Sequence, residues 1–289
     1  MVVKHYLSLV KFSHTIFALP FALSGFFIAT LEFGSADFLR IFLLVVLSMV
    51  FGRNAAMGFN RYLDRDIDAA NARTSTREIP GGVIAARQAL VFVLLNVVAF
   101  VVTTWFINPL CFYLSPVALA VVLGYSYTKR FTWLCHFVLG LGLALAPVGA
   151  YLAVGGQFDW IPVLLGAAVL TWVSGFDIIY ALQDIQFDRE QGLFSVPVKA
   201  GFMRALRISE GLHVLTAILI GAVVYLLDAA YPEFSPLLWA GAGIFTALLF
   251  YQHTLVRDED LSKVNLAFFT TNGIASLLFA LFLIGDIFI

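Results

Sequence analysis

The chain has 289 residues, 61% of them hydrophobic and 12% charged, with 17 Lys and Arg against 18 Asp and Glu for a net charge of −1. A water-soluble globule carries roughly 25% charged residues, so that class is excluded, and so even a charge balance gives no reason to expect a nucleic-acid partner. Short alternating strands, the mark of a membrane barrel, are missing from the pattern, which leaves an all-α membrane protein.

A helical span needs about 20 predominantly apolar residues. Nine segments qualify, near residues 12–31, 39–59, 87–107, 109–128, 134–154, 161–183, 205–227, 235–255 and 265–288. The expected fold is therefore nine transmembrane helices around a central cavity. The N-terminus lacks a small-residue cleavage site after a short apolar stretch, so the first segment reads as a retained span. Lys11 and His14 stand at its start and either orient an acidic ligand or snorkel toward the interface. The outer connections, near 32–38, 108–109, 155–160 and 228–234, are short. Two inner connections, 60–86 and 183–203, are long and hold most of the ionisable residues, and long ordered loops on a compact bundle commonly carry function. With the N-terminus cytoplasmic, 16 of the 17 Lys and Arg fall on the inner side and only Arg40 outside. That asymmetry follows the positive-inside rule, puts the C-terminus outside, and predicts a multi-pass protein of the cell's inner membrane with its polar loops cytoplasmic.

The whole of 1–289 reads as one polytopic domain with two pseudo-repeated halves, about 1–130 and 131–289. Span two runs into Asn60, Asp64 and Asp68 and then Arg73, Arg77, Pro80 and Gly81; span six runs into Asp177, Tyr180, Asp184 and Asp188 and then Ser195, Pro197, Lys199 and Gly201. Membrane folds built from repeats place their site between the halves.

Carboxylates four apart on a helix share a face, where they repel unless a cation neutralises them. Mg²⁺ takes oxygen ligands and commonly binds through one or two carboxylates plus substrate phosphates. Asn60, Asp64 and Asp68 supply one such half-site, and Asp184 with Asp188 a second; facing each other, they would hold a diphosphate through bridging metals. Arg53, two turns before Asn60 on the same face, is placed to reach phosphate or an acidic acceptor, with Arg73, Arg77, Lys129 and Arg130 completing the neutralisation. An ionised group deep in a span costs at least about 2.5–3.5 kcal/mol unless it faces a polar cavity, which makes Asp177 a site candidate.

Blander readings apply elsewhere. Asp66 either pairs with Arg65 or Arg61 or belongs to the site, Glu78 and Glu190 read as solvated loop charges, and Asp258, Glu259 and Asp260 as a solvated turn. Cys111 and Cys135 lack any ligand spacing and read as packing residues, and the 29 Phe as mostly lipid-facing and packing surface. A nine-span cation or metabolite transporter is the alternative of another class, although acidic residues gathered at one face beside basic loops suit a diphosphate better.

The stretch RNAAMGFNRYLDRDIDAANARTSTREIPGG from Arg53 to Gly82, YSYTKR from Tyr125 to Arg130, and DIIYALQDIQFD from Asp177 to Asp188 resemble the UbiA superfamily of intramembrane aromatic prenyltransferases, in flavour its 4-hydroxybenzoate polyprenyltransferase branch. The resemblance implies two Mg²⁺ ions bridging an allylic polyprenyl diphosphate between the aspartate motifs, an opening to membrane lipid, and a carbon–carbon bond made to a small aromatic acid in quinone biosynthesis. Asn60, Asp64 and Asp68 match the first motif, Asp184 and Asp188 the second, and Arg53, Lys129 and Arg130 the accompanying basic positions. Arg61 departs from the Asp common at that place in ubiquinone-pathway members. Gly192–Val198 resembles a sister branch serving menaquinone synthesis through futalosine, which keeps a dihydroxynaphthoate in play as acceptor.

Overall fold

The computed structural model describes residues 2–11, 15, 17–34, 37–231, 234–256 and 260–289. The expectations placed on His14, Asp258 and Glu259, and Arg257 in the charge map, lie outside them. The regular elements are helices: α1 (Val2–Leu9), α2 (Leu19–Phe33), α3 (Phe38–Leu63), α4 (Arg65–Ala70), α5 (Ala86–Ile107), α6 (Pro109–Thr128), α7 (Cys135–Gly155), α8 (Trp160–Ala181), α9 (Ile185–Glu190), α10 (Val196–Ala200), α11 (Phe202–Ala230), α12 (Pro236–Leu255) and α13 (Asn272–Ile287). A 3₁₀ turn at Leu182–Asp184 joins α8 to α9, and a π-helical stretch at Leu266–Thr271 leads into α13. In lipid each backbone N–H and C=O needs a partner within the chain, which an unbroken helix supplies.

Among the described residues, seven helical stretches are long and apolar enough to cross a membrane. The other two expected spans differ. The first is the 15-residue α2, and the eighth, α12, falls short in apolarity because Gln252 and His253 sit in its last turns. Punctuation is local: Pro109 opens α6 directly after Asn108, Gly156 closes α7 in the left-handed region (φ 64°), and Ser235 caps α12 by accepting the Leu237 N–H.

By contact the chain forms two units, residues 1–15 with 37–128, and residues 16–36 with 129–289. In the first, α3 packs along α5, with Gly58 against Val93 and Phe92. α5 turns Ala89, Val93 and Asn96 inward and leaves Leu94, Leu95, Val98 and Trp105 exposed, the division expected of a helix with one lipid face. Leu9, Ile84 and Ala89, with Tyr6, Ile79 and Phe92, seat α1 and the loop before α5.

In the second unit α2, α7, α8, α11, α12 and α13 surround a core centred on Trp172, Phe21, Phe245 and Phe279. Small residues let backbones meet, as is usual between membrane helices. A Cβ added at Gly25 of α2 would lie 2.2 Å from the Pro147 carbonyl oxygen of α7. A polar network crosses the core: Trp172 Nε1 donates to Asn272 Oδ1 (2.8 Å), and Asn272 Nδ2 donates to Gln252 Oε1 (3.0 Å) and to the Ala267 carbonyl (2.9 Å). His213 Nδ1 bonds His253 Nε2 at 2.7 Å. Asn272 thereby satisfies a carbonyl of the π stretch, and that stretch sets Phe268 against Tyr180 with ring centroids 4.2 Å apart. At the far end, Asp286 accepts from the N–H groups of Ser235 (3.1 Å) and Leu238 (2.8 Å), tying α13 to the start of α12.

Gly25→Val should destabilise the fold by about 1–3 kcal/mol, since α2 and α7 must separate to admit it. Gly243→Ala, whose Cβ meets nothing within 4 Å, should be neutral or slightly stabilising. Thermal unfolding of both variants in detergent checks the contrast.

Candidate active site

The two acidic motifs sit in different units, and each occupies a break between a long helix and a six-residue one. In the first unit α3 ends at Leu63, Asp64 takes φ −88°, ψ 4°, and α4 follows. This bridge conformation is sparsely populated and recurs at active sites. Hydrogen bonding continues across it, from Asp64 N–H to the Asn60 carbonyl (2.9 Å) and from Asp68 N–H to the Asp64 carbonyl (2.7 Å), so the four-residue spacing read from the sequence survives. Asn60 Nδ2 donates to Asp64 Oδ2 at 3.2 Å. Arg77 Nη1 donates to Asp68 Oδ1 at 2.6 Å, Arg61 Nη1 lies 4.0 Å from Asp68 Oδ2, and Thr74 Oγ1 donates to the Asp68 carbonyl at 3.1 Å. Asp64, Asp68 and Arg61 are all buried. Even so, Asp68 Oδ2 accepts no hydrogen bond and Arg61 Nε donates none among the described residues.

In the second unit α8 carries Asp177 and Tyr180 and stops at Ala181. The 3₁₀ turn then brings in Asp184 at φ −107°, ψ 8°, and α9 carries Asp188. A 3₁₀ turn holds three residues where an α turn holds 3.6, so the single continuous face expected from Asp177 to Asp188 is re-aimed at Asp184. The loop after α9 folds back, with Leu193 N–H on the Asp188 carbonyl (2.8 Å) and Phe194 N–H on the Lys129 carbonyl (2.7 Å). Asp177 Oδ2 meets His136 Nδ1 at 2.7 Å.

A model described as "UbiA prenyltransferase family" matches residues 18–279. The chain belongs to the UbiA prenyltransferase family. It is 33% identical over 228 residues to the 4-hydroxybenzoate octaprenyltransferase of Tolumonas auensis, covering 79% of this chain and 78% of that one. Among solved structures it resembles the apo form of a UbiA homolog from Aeropyrum pernix K1, with TM-score 0.83 and 29% identity over 94% of this chain and 98% of that one. It also resembles a UbiA homolog from Archaeoglobus fulgidus bound to GPP and Mg²⁺, with TM-score 0.73 and 26% identity over 99% of this chain and all of the other (100%). The protein is thus an integral membrane prenyltransferase with the UbiA fold, and the transporter alternative gives way.

Within this UbiA enzyme several expected site residues have partners of their own. Arg53 donates to the carbonyls of Val10 and Lys11, each at 2.9 Å, and so anchors the end of α1. Lys199 lies 4.0 Å over the Trp133 ring. The Arg73 N–H donates to Asn71 Oδ1 (2.9 Å), shaping the loop in which its own side chain is exposed. Lys129 and Arg130 are half-buried where α6 gives way to α7. Asp66 pairs with Arg65 at 3.6 Å on the surface. Asp260 accepts the Ser262 N–H in an exposed turn, which holds its carboxyl below the usual range. Glu78 corrects the reading of a solvated loop charge: it accepts the Ser8 hydroxyl of α1, and its Oε2 is buried.

His136 escaped the sequence reading altogether, although an imidazole at the end of an apolar span is a signal of function in itself. Of the two arginines offered as partners for Asp66, Arg65 takes that place and Arg61 is buried beside Asp68.

Replacing Arg77 with Ala removes the strongest partner of a buried carboxylate that Arg61 only half compensates. The expected loss is about 1–3 kcal/mol. The R77A/D68N pair should recover part of it, because the orphaned charge is then gone. Detergent melts of the single and double variants measure both effects.

Proposed function

We propose that this chain transfers a polyprenyl group from an allylic polyprenyl diphosphate to a 4-hydroxybenzoate-like aromatic acid in quinone biosynthesis, releasing diphosphate, with Mg²⁺ as cofactor. The observation that carries this reading is the pair of Asp-centred helix breaks, each pairing a bridge-region Asp with a second carboxylate one short helix turn on. Kinship with an enzyme named for that acceptor supports the choice of acid.

The residues present fit the metal. Their donors are carboxylate and amide oxygens, the set Mg²⁺ prefers, and the buried Asp68 Oδ2 has no hydrogen-bond donor of its own. Asn60, Asp64 and Asp68 would hold one ion and Asp184 and Asp188 the other. Bound Mg²⁺ supplies charge neutralisation of the departing diphosphate. Arg73 and Arg77 beside the first motif, and Lys129, Arg130 and Lys199 in the unit of the second, would contribute positive charge toward phosphate, and Arg53 would orient the ligand or its carboxylate. As the C1–O bond of the donor breaks, apolar and aromatic side chains exclude water from the allylic cation, Tyr180 among them. A ring carbon of the acceptor then forms the new carbon–carbon bond. The ring proton passes to a carboxylate, Asp184 or Asp188, with Asp177 contacting the acceptor. The balance is one prenylated arene, one diphosphate and one proton. Charge asymmetry around the spans supports an inner-membrane location with the N-terminus and active site cytoplasmic.

Purified protein incubated with geranyl diphosphate, Mg²⁺ and a panel of aromatic acids that includes a dihydroxynaphthoate should give a prenylated 4-hydroxybenzoate by mass spectrometry. Exclusive modification of the naphthoate would move the assignment to the menaquinone branch. Asp64→Ala and Asp184→Ala should each lower turnover at least about a hundredfold, the scale of losing one transition-state charge contact, with melting temperatures near wild type. Retained activity in both would refute the metal assignment.

A further inference from the structure

His136 stands at the start of α7 with its ring buried and both nitrogens engaged. The Val196 N–H, at the start of α10, donates to Nε2 at 3.3 Å. A nitrogen that accepts a hydrogen bond has its lone pair free, so in the neutral ring the proton resides on Nδ1. Nδ1–H therefore donates to Asp177 Oδ2, 2.7 Å away. The Asp177 side chain is 23% exposed, and its Oδ1 accepts no hydrogen bond among the described residues, which leaves that oxygen open to a ligand.

The histidine is itself clamped. Ser174 Oγ, one turn before Asp177 on α8, donates to the Leu170 carbonyl at 2.7 Å and shares that proton with the His136 carbonyl at 3.2 Å, and the neighbouring Cys135 Sγ lies 3.5 Å from the Phe194 carbonyl. Ser195 caps α10 by accepting the Val198 N–H at 3.3 Å, fixing the backbone from which Val196 reaches the ring. Three segments, the start of α7, the last turns of α8 and the start of α10, thus converge on one imidazole.

We propose that His136 is a positioning residue for the aromatic acceptor: by fixing Oδ2 of Asp177, it holds Oδ1 in the orientation that receives the acceptor's polar group. The inference deepens the prenyltransferase reading above and rests on it. A carboxylate deep in a span can swing among rotamers or draw in water, and a second group that locks its geometry spares the substrate that ordering cost. The consequence is specific to one substrate. The acceptor KM depends on His136, while the KM for the prenyl diphosphate, which engages the two acidic motifs, does not.

The test measures both KM values and kcat with geranyl diphosphate, Mg²⁺ and 4-hydroxybenzoate. His136→Leu should raise the acceptor KM about tenfold to a hundredfold, the size of a lost hydrogen bond to a charged group, with the donor KM within about twofold of wild type. His136→Asn keeps a donor on the Asp177 side but does not reach Val196, and it should recover most of the loss. In an Asp177→Asn background, His136→Leu should add little, because its partner is already altered. The inference is overturned if H136N is as impaired as H136L, if donor and acceptor KM rise together, or if the H136L and D177N effects multiply. Should H136L not fold, H136N and His136→Gln still decide: the Asn amide stands where Nδ1 stood and keeps the Asp177 contact, whereas the Gln amide stands where Nε2 stood and keeps the Val196 contact, so a defect confined to H136N overturns the inference. Wild-type protein that transfers no prenyl group to any acid fails the parent reading, whereas active wild type with unaffected variants fails this inference alone.

Discussion

A carboxylate near the end of a lipid-embedded helix must find a cation or an N–H donor, and this requirement organises the polar parts of the molecule. Leaving such a charge unpaired away from water costs several kcal/mol, a large part of a protein's whole stability. Three of these acids meet the demand differently. Asp68 takes Arg77 and, more distantly, Arg61. Asp177 takes an imidazole. Asp286 takes two backbone N–H groups at the start of a neighbouring helix. The last arrangement is closed and structural. The first leaves an oxygen without a donor, and the second leaves one beyond the imidazole's reach, and both lie in the two acidic motifs.

The same economy governs the backbone. A spanning helix that simply continued would keep its carboxylates on the cylinder wall. The first motif instead stops the span at Asp64, the second runs from Ala181 through a 3₁₀ turn that ends on Asp184, and each restarts from an aspartate in the bridge conformation as a six-residue helix. In the first the four-residue hydrogen-bond ladder runs through the break, whereas in the second a 3₁₀ turn tightens it. The breaks are affordable because they fall at span ends, where side chains and loop residues such as Thr74 and Leu193 can take up main-chain oxygens.

Much of this was legible in the chain. Apolar length located the helices, since lipid permits few other solutions, and the spacing of Asn60, Asp64 and Asp68 survived into the structure because i,i+4 geometry is local. What was not legible depends on contacts between residues remote in sequence. Glu78 looked solvated because nothing near it names Ser8, 70 positions away. Nothing in the sequence singles out His136 as a partner, because Asp177 lies 41 positions on. The 3₁₀ turn carries no compositional mark, because LQD fits an α-helix equally well. The shortness of α2 was hidden by the apolar residues that precede it.

The π stretch before α13 has a consequence for how the aromatic surroundings of Tyr180 are specified. A π turn packs an additional residue into its rise, so everything after it is rotated relative to an ordinary helix. Phe268 lies within that wider turn, and the Ala267 and Phe268 carbonyls accept from the amide of Asn272, itself oriented by Gln252 and Trp172, so the angle at which Phe268 meets Tyr180 follows from these bonds. Three side chains with no carboxylate among them thus act as a remote setting for the contour of the hydrophobic wall, and a lineage could reshape that wall by altering Gln252 while leaving every acidic residue untouched.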